Sequence, residues 1–128
     1  MNVLVVEDAP EVRKRLVAIV RAIPGVTVVG EAGSVRGAID GALADATDVM
    51  LLDLQLVDGS GLEVLAAVKP RRPGLYVIVL SNLSNAQQYR DASLAAGADV
   101  VLDKTKEFGR VREILRDRLG AAQARLPN

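Results

Sequence analysis

An apolar run that ends in a carboxylate, Val49-Met50-Leu51-Leu52-Asp53-Leu54-Gln55, constrains the fold of this chain most strongly. A run that is apolar at every position is typical of a strand covered on both faces, as in a parallel sheet flanked by helices. Such a strand would place Asp53 at its carboxyl end, where the loops of an open α/β sheet part to form a crevice for ligands. Asp is also common at strand ends because it opens polar turns, so Asp53 alone would not indicate a site.

Four further apolar runs, over residues 3–6, 26–29, 75–80 and 100–102, also predict strands. Apolar residues at helical spacing, together with capping and stop signals, predict a helix after each strand. The first predicted helix is capped by Asp8 and stops at Pro24-Gly25, and the second runs from Ser34 to about Ala44. The third runs from Ser60 to Lys69-Pro70 and the fourth from about Asn85 to Ala96. The last has an apolar stripe from Phe108 to Leu119. Strands that alternate with helices imply right-handed crossovers and a parallel sheet. We therefore predict an α/β, doubly wound, flavodoxin-like fold with five helices and strand order 2-1-3-4-5.

The composition limits the number of domains and the kinds of partner. A chain of 128 residues is sized for one domain, and we predict a unit over residues 1–122 with a C-terminal tail over residues 123–128. Sixteen basic and sixteen acidic residues balance without a one-sign block, which argues against direct binding to nucleic acid or to a membrane surface. The chain has no cysteine, and its N-terminus has neither a signal-peptide nor a membrane-span pattern, so we expect it in the cytoplasm.

The predicted strand order brings charged residues from several strands to one edge of the sheet. Strands one and three lie side by side in that order, so the carboxylates of Glu7, Asp8 and Asp53 should converge. Carboxylates gathered at a dry edge repel one another, and oxygen ligands without His or Cys favour Mg²⁺. Ser81 and Lys104, from the ends of strands four and five, add a hydroxyl and a cation. Singly, these residues suit a helix cap, a turn and a surface lysine, but together they suit phosphoryl transfer to a carboxylate.

The chain resembles the receiver domain of two-component response regulators from residue 3 to about residue 119. The resemblance rests on the acidic pair Glu7-Asp8, the central Asp53, the hydroxyl of Ser81, and Lys104 after Gly97-Ala98-Asp99. It implies that Asp53 accepts a phosphoryl group from a histidine kinase or phosphotransfer protein. It also implies a Mg²⁺ site of Glu7, Asp8, Asp53 and the backbone carbonyl of Gln55, a switch role for Ser81, phosphate binding by Lys104, and a family glycine at Gly61.

Three positions depart from the pattern of that family. Val57 and Thr105 stand where the family usually has proline, and Val101 stands where it usually has an aromatic residue that rotates inward on activation. We therefore expect the signal to pass mainly through the backbone of residues 81–83 and the start of the fourth helix. The fourth helix, fifth strand and fifth helix are the elements nearest Ser81 and Lys104, so we expect them to form the readout face, for a downstream protein or a second copy of the chain.

Other functions account less well for the same residues. A Mg²⁺-dependent phosphohydrolase with an aspartyl nucleophile often carries its general acid two residues further on, and Gln55 occupies that position. A receiver that never takes phosphate would not need the acceptor, the acids and the lysine together. Flavin binding would need a Ser/Thr/Gly-rich loop after the first strand, where this chain has Glu7-Asp8-Ala9-Pro10. We thus predict a signalling domain, with self-catalysed phosphoryl transfer and autodephosphorylation as its only chemistry.

Overall fold

The computed structural model describes residues 1–44, 46–82 and 86–124. Within these ranges, five long strands alternate with five helices, and a two-stranded hairpin follows the third strand. The elements are β1 Asn2–Val6, α1 Pro10–Arg21, β2 Thr27–Ala32, α2 Val35–Ala42, β3 Val49–Asp53, β4 Gln55–Leu56, β5 Gly59–Ser60, α3 Gly61–Val68, β6 Tyr76–Ser81, α4 Ala86–Ala95, β7 Val100–Asp103 and α5 Arg110–Ala124. The long strands form a parallel sheet in the order β2-β1-β3-β6-β7. Since β6 and β7 are the fourth and fifth long strands, the predicted order is confirmed.

The central strand β3 is buried along its whole length, as its apolar run predicts. Met50 and Leu52 pack into a cluster that includes side chains of α2 and α3. Val49 and Leu51 face the other side, where the cluster includes side chains of α1 and α5. Alternation along the strand therefore fills two cores, and the carboxyl end of β3 is fixed between them.

The start of α1 differs from the prediction that Asp8 caps it. The N-cap residue is Ala9, which makes no side-chain capping hydrogen bond, and the helix begins at Pro10. Proline is favoured at the first helical position because its φ is already helical and it has no N–H to satisfy. Asp8 therefore precedes the cap, and its carboxylate is not used in capping α1.

The hairpin of β4 and β5 occupies a segment that was predicted to be a loop. Gln55 pairs with Ser60 and Leu56 with Gly59, in antiparallel register. Ser60 then caps α3, and the predicted capping box with Glu63 is present. The hairpin is also anchored to α2, because Asp58 Oδ1 accepts a hydrogen bond of 2.6 Å from the Val35 backbone N–H.

The ends of the other elements lie within a few residues of the predicted ones. β2 continues to Ala32, because it pairs with β1 along its length, with a register shift between Val3 and Leu4. α2 ends at Ala42 instead of about Ala44. Asn85, predicted to begin the fourth helix, lies outside the described residues, as does the end of the tail, residues 125–128. No helix in the described ranges combines the length and the apolar character needed to cross a membrane.

Candidate phosphoryl-transfer and metal site

Three carboxylates meet at the carboxyl edge of the sheet. β1 and β3 are in register with Val6 beside Leu52, so Glu7 and Asp53 leave the sheet next to each other. Glu7, Asp8 and Asp53 each have a carboxylate oxygen within 4.8 Å of one of the other two. Glu7 is 1% exposed and Asp53 is 3% exposed, whereas Asp8 is exposed to solvent. The cluster therefore has two buried acids and one solvent-facing acid.

Lys104 supplies a cation to the buried part of this cluster. It follows β7, and its backbone N–H donates a hydrogen bond of 2.8 Å to the Ser81 carbonyl. Its Nζ donates a hydrogen bond of 2.6 Å to Glu7 Oε2 and lies 3.4 Å from Asp53 Oδ2. The ammonium group thus contacts both buried carboxylates, so Lys104 is not an ordinary surface lysine.

The environment of Asp53 changes its protonation. Burial, a hydrogen bond to Glu7 and repulsion from Glu7 raise the pKa of Asp53, while Lys104 and the Gln55 backbone N–H lower it. The balance raises the pKa of Asp53 to about 7. Burial disfavours the charged form, and Lys104 is already engaged with Glu7, so it offsets only part of that effect. Without a bound cation, Asp53 is therefore partly protonated at neutral pH.

This pKa predicts how stability depends on pH. The ordinary pKa of Asp is 3.8, so between about pH 4 and about pH 7 the folded protein holds a proton that the unfolded chain has released. The contribution of Asp53 to the free energy of unfolding must then fall as pH rises through this range. In EDTA, we expect Asp53→Asn to gain about 3 kcal/mol relative to the wild type between those pH values. Urea denaturation of both proteins measures the difference, and parallel pH curves would contradict the raised pKa.

Ser81 brings a buried hydroxyl to the same edge. It is the last residue of β6 and is buried, and its Oγ makes no hydrogen bond within the described residues. Leaving a buried hydroxyl unpaired costs about 1–3 kcal/mol. A group with oxygen acceptors that bound beside Asp53 would satisfy this hydroxyl. The orphaned hydroxyl therefore indicates a place for an oxygen-rich ligand.

A cavity of about 500 Å³ opens over the acidic cluster. Of the predicted site residues, Glu7, Asp8, Asp53, Gln55 and Lys104 line this cavity, whereas Ser81 does not. The other lining residues, which sequence reasoning did not assign to the site, are Ala9, Val12, Arg15, Asn82, Thr105 and Phe108. The Arg15 guanidinium lies 5.6 Å from the centre of the Phe108 ring. Thr105, which stands in place of proline, has its Oγ1 3.0 Å from Asn82 Oδ1. Arg15 follows Asp8 by about two helical turns. This spacing was the feature of the sequence that could have placed Arg15 near the acidic pair.

The residues present suit Mg²⁺. All donors in the acidic cluster are oxygens, the chain has no His or Cys, and hard cations prefer such ligands. Three carboxylates can carry three negative charges, and the ammonium of Lys104 offsets only one of them. Gln55 extends the site, because its backbone N–H donates a hydrogen bond of 3.2 Å to Asp53 Oδ1. Participation of the Gln55 carbonyl in metal binding stays a prediction.

The sequence profile of the response regulator receiver domain matches residues 3–116. The DNA-binding transcriptional activator DevR/DosR of Mycobacterium tuberculosis is 34% identical over 131 residues, which cover 95% of this chain and 60% of that relative. A protein-glutamate methylesterase/protein-glutamine glutaminase of Myxococcus xanthus is 35% identical over 126 residues, covering 94% of this chain and 36% of the relative. The chain therefore spans 60% or less of the length of these two relatives.

Solved structures show the same fold. The response regulator domain of Thermotoga maritima CheB superposes with a TM-score of 0.81 at 26% identity, covering 99% of this chain and 98% of that one. The superposition therefore extends over nearly the full length of both chains.

Proposed function

The chain belongs to the response regulator receiver domain family, and from this membership we propose that it accepts a phosphoryl group on Asp53 from a histidine kinase or phosphotransfer protein. One observation carries the proposal. Asp53 shares a cluster with Glu7 and Asp8, and Lys104 Nζ lies 3.4 Å from Asp53 Oδ2. A nucleophilic carboxylate, acids for a cation and an ammonium group are together the elements of phosphoryl transfer to an acid.

We propose a role for each residue in the transfer step. A carboxylate oxygen of Asp53 attacks phosphorus, a new P–O bond forms, and the bond to the donor's leaving group breaks. Because the pKa of Asp53 is about 7, this carboxylate must be deprotonated before it attacks. Lys104 then balances the negative charge of the phosphoryl oxygens, and the Ser81 hydroxyl donates a hydrogen bond to one of them. Mg²⁺, when held by Glu7, Asp8, Asp53 and the Gln55 carbonyl, supplies further neutralisation of the same oxygens.

A phosphohydrolase with an aspartyl nucleophile is the less favoured function. Gln55, two residues after Asp53, has an amide side chain that cannot act as a general acid at neutral pH. It is also exposed. The relatives that are methylesterases by name are longer than this chain, which covers only 36% of one of them. Their activity therefore does not transfer to this domain.

Receiver domains interact with histidine kinases and with downstream effectors, and we propose that output from this chain uses α4, β7 and α5. A structural relative of 25% identity and TM-score 0.74 is described as a CheX-CheY complex with BeF₃⁻ and Mg²⁺, from Borrelia burgdorferi. In this chain α4 exposes Tyr89 and Leu94. Either a downstream protein or a second copy of the chain can occupy such a face.

We propose that the route to that face differs from an aromatic switch. Val101 is buried in the core and has no ring to rotate. Asn82 and Thr105 join the loops after β6 and β7 through a 3.0 Å contact, and Arg90 on α4 lies 3.7 Å from Glu107. We propose that a shift at Ser81 passes through these two loops and the contact between Glu107 and Arg90 to α4. The predicted step through Leu83 lies outside the described residues.

We also propose that residues 1–122 form the receiver unit and residues 123–128 a tail, although α5 itself continues to Ala124. We further propose that this domain is cytoplasmic and binds neither nucleic acid nor membrane directly; the balanced charge of the chain supports the second part of this proposal.

Acetyl phosphate and intact-mass measurement test the proposed function. With Mg²⁺, the wild type should gain one phosphoryl group, and in EDTA it should gain almost none. Asp8→Asn should need a higher Mg²⁺ concentration for the same uptake, because one carboxylate ligand is lost. Asp40→Asn is the matched control, since Asp40 is an exposed acid on α2 that pairs with Arg36. Equal uptake with Mg²⁺ and with EDTA would contradict a metal-assisted transfer.

A further inference from the structure

Arg13 on α1 contacts the backbone of the acidic turn instead of extending into solvent. Its Nη1 donates a hydrogen bond of 2.8 Å to the Glu7 carbonyl oxygen, and its Nε lies 3.4 Å from Glu31 Oε1 on β2. The Arg13 side chain is only 26% exposed. One guanidinium therefore connects the end of β1 to β2, and it does so at the backbone of Glu7, a member of the acidic cluster.

The sheet itself does not provide this support. Pairing between β1 and β2 ends at Val6 beside Ala32, followed by one hydrogen bond of 2.9 Å from the Glu7 N–H to the Ala32 carbonyl. The Glu7 carbonyl lies past the last ladder pair, and Arg13 provides its donor. A partly buried carbonyl needs such a donor, and a charged donor makes a stronger bond than a neutral one.

Gly33 provides the space for this arrangement. A Cβ at Gly33 would lie 3.1 Å from Arg13 Nη1, 3.5 Å from the Glu7 carbonyl oxygen and 3.5 Å from Asp8 Cα. The backbone of Gly33 thus packs against the acidic turn and the guanidinium together. Glycine leaves room for Arg13 to reach the carbonyl.

We propose that Arg13 is a positioning residue for the metal-binding acids: by holding the Glu7 carbonyl, it sets the direction in which the Glu7 and Asp8 side chains leave β1. This inference rests on the proposed function. Two different nitrogens of the guanidinium contact the Glu7 carbonyl and Glu31. A lysine has a single ammonium nitrogen and would not reproduce both contacts. Partners that orient metal ligands in this way typically affect metal affinity by 10–100-fold.

If Arg13 acted only through its charge, its removal would have the opposite effect on Mg²⁺ affinity, so an experiment can distinguish the two roles. A cation near three carboxylates repels Mg²⁺, so removing its charge should strengthen Mg²⁺ binding. Removing a positioning contact should weaken it. Arg13→Lys keeps the charge and loses the fork, whereas Arg13→Gln loses both, so the two variants separate the effects.

The experiment is a Mg²⁺ titration of the full chain, followed by calorimetry or amide NMR shifts at a temperature where every variant is folded. We expect Arg13→Lys and Arg13→Gln to bind Mg²⁺ roughly tenfold more weakly than the wild type. Arg36→Gln, an exposed arginine on α2 that pairs with Asp40, should bind like the wild type. A melting temperature in EDTA accompanies each titration and reports any purely structural effect.

The outcomes distinguish this inference from the proposed function. Unchanged or tighter Mg²⁺ binding by both Arg13 variants would overturn the positioning role, whatever happens to their melting temperatures, while leaving the proposed function intact. A wild type that binds no Mg²⁺ would overturn the proposed function and this inference with it. Weaker binding by Arg13→Lys, with Arg36→Gln unchanged, supports the inference.

Discussion

Asp53→Asn is expected to gain no phosphoryl group from acetyl phosphate and Mg²⁺, under conditions in which the wild type gains one. The substitution preserves the shape of the side chain and an oxygen that can accept the hydrogen bond from the Gln55 N–H, which is 3.2 Å long in the wild type. An amide oxygen is a poor nucleophile toward phosphorus, so the reacting atom is lost while the surroundings remain. Intact-mass measurement over a time course gives the comparison.

Asp117→Asn is a matched control for this experiment, because Asp117 is an exposed acid on α5 that does not line the cavity over the acidic cluster. It should gain one phosphoryl group at the wild-type rate. A melting curve of Asp53→Asn should show a folded protein that is at least as stable as the wild type, since the variant removes a buried acid with a raised pKa. Phosphoryl uptake by Asp53→Asn at the wild-type level would place the acceptor on another residue.

The sheet could be predicted because each long strand contains consecutive apolar residues that are followed by polar residues or glycine. β3, with Val49 to Leu52 all apolar, is the strongest example. The hairpin of β4 and β5 could not be predicted in the same way, because strands of two residues have no periodicity to detect. The hydrogen bond from the Val35 N–H to Asp58, which anchors the hairpin to α2, joins residues far apart in the chain, so the local sequence does not encode it.

The site was predictable in outline, because strand order alone brings the ends of β1 and β3 together. Its electrostatics were not. Lys104 and Glu7 are 97 residues apart, and the sequence does not reveal that the lysine ammonium contacts Glu7 at 2.6 Å and Asp53 at 3.4 Å. The prediction that Asp8 caps α1 was wrong. Asp8 and Ala9 were both candidates for the N-cap position, and the general preference for Asp at N-caps favoured Asp8, but Ala9 occupies the position.

Gly61→Ala is expected to lower the free energy of unfolding by about 3 kcal/mol and to slow phosphoryl uptake by roughly tenfold or more. A Cβ at Gly61 would lie 2.6 Å from the Asp53 carbonyl oxygen and 3.0 Å from Leu54 Cα. Both atoms belong to the backbone, so a side-chain rotation cannot relieve the clash. Urea denaturation measures the stability, and the time course of uptake measures the rate.

Relief of this clash must move either the start of α3 or the backbone that carries Asp53. The Gly61 N–H donates a hydrogen bond of 2.9 Å to the Leu54 carbonyl, which seats the start of α3 directly on the end of β3. Either α3 moves away and weakens this bond, or the peptide between Asp53 and Leu54 rotates and redirects the Asp53 carboxylate. An error of about 1 Å at a reacting group can cost about a hundredfold in rate.

Gly74→Ala separates this effect from the general effect of adding a methyl group, because a Cβ at Gly74 meets no atom within 4 Å. We expect Gly74→Ala to match the wild type in both stability and uptake. If Gly61→Ala lost stability but took up phosphate as fast as Gly74→Ala, then the start of α3 would yield instead of Asp53. Such a result would show that the position of the acceptor does not depend on the packing of α3, because β3 and its two cores then hold Asp53 by themselves.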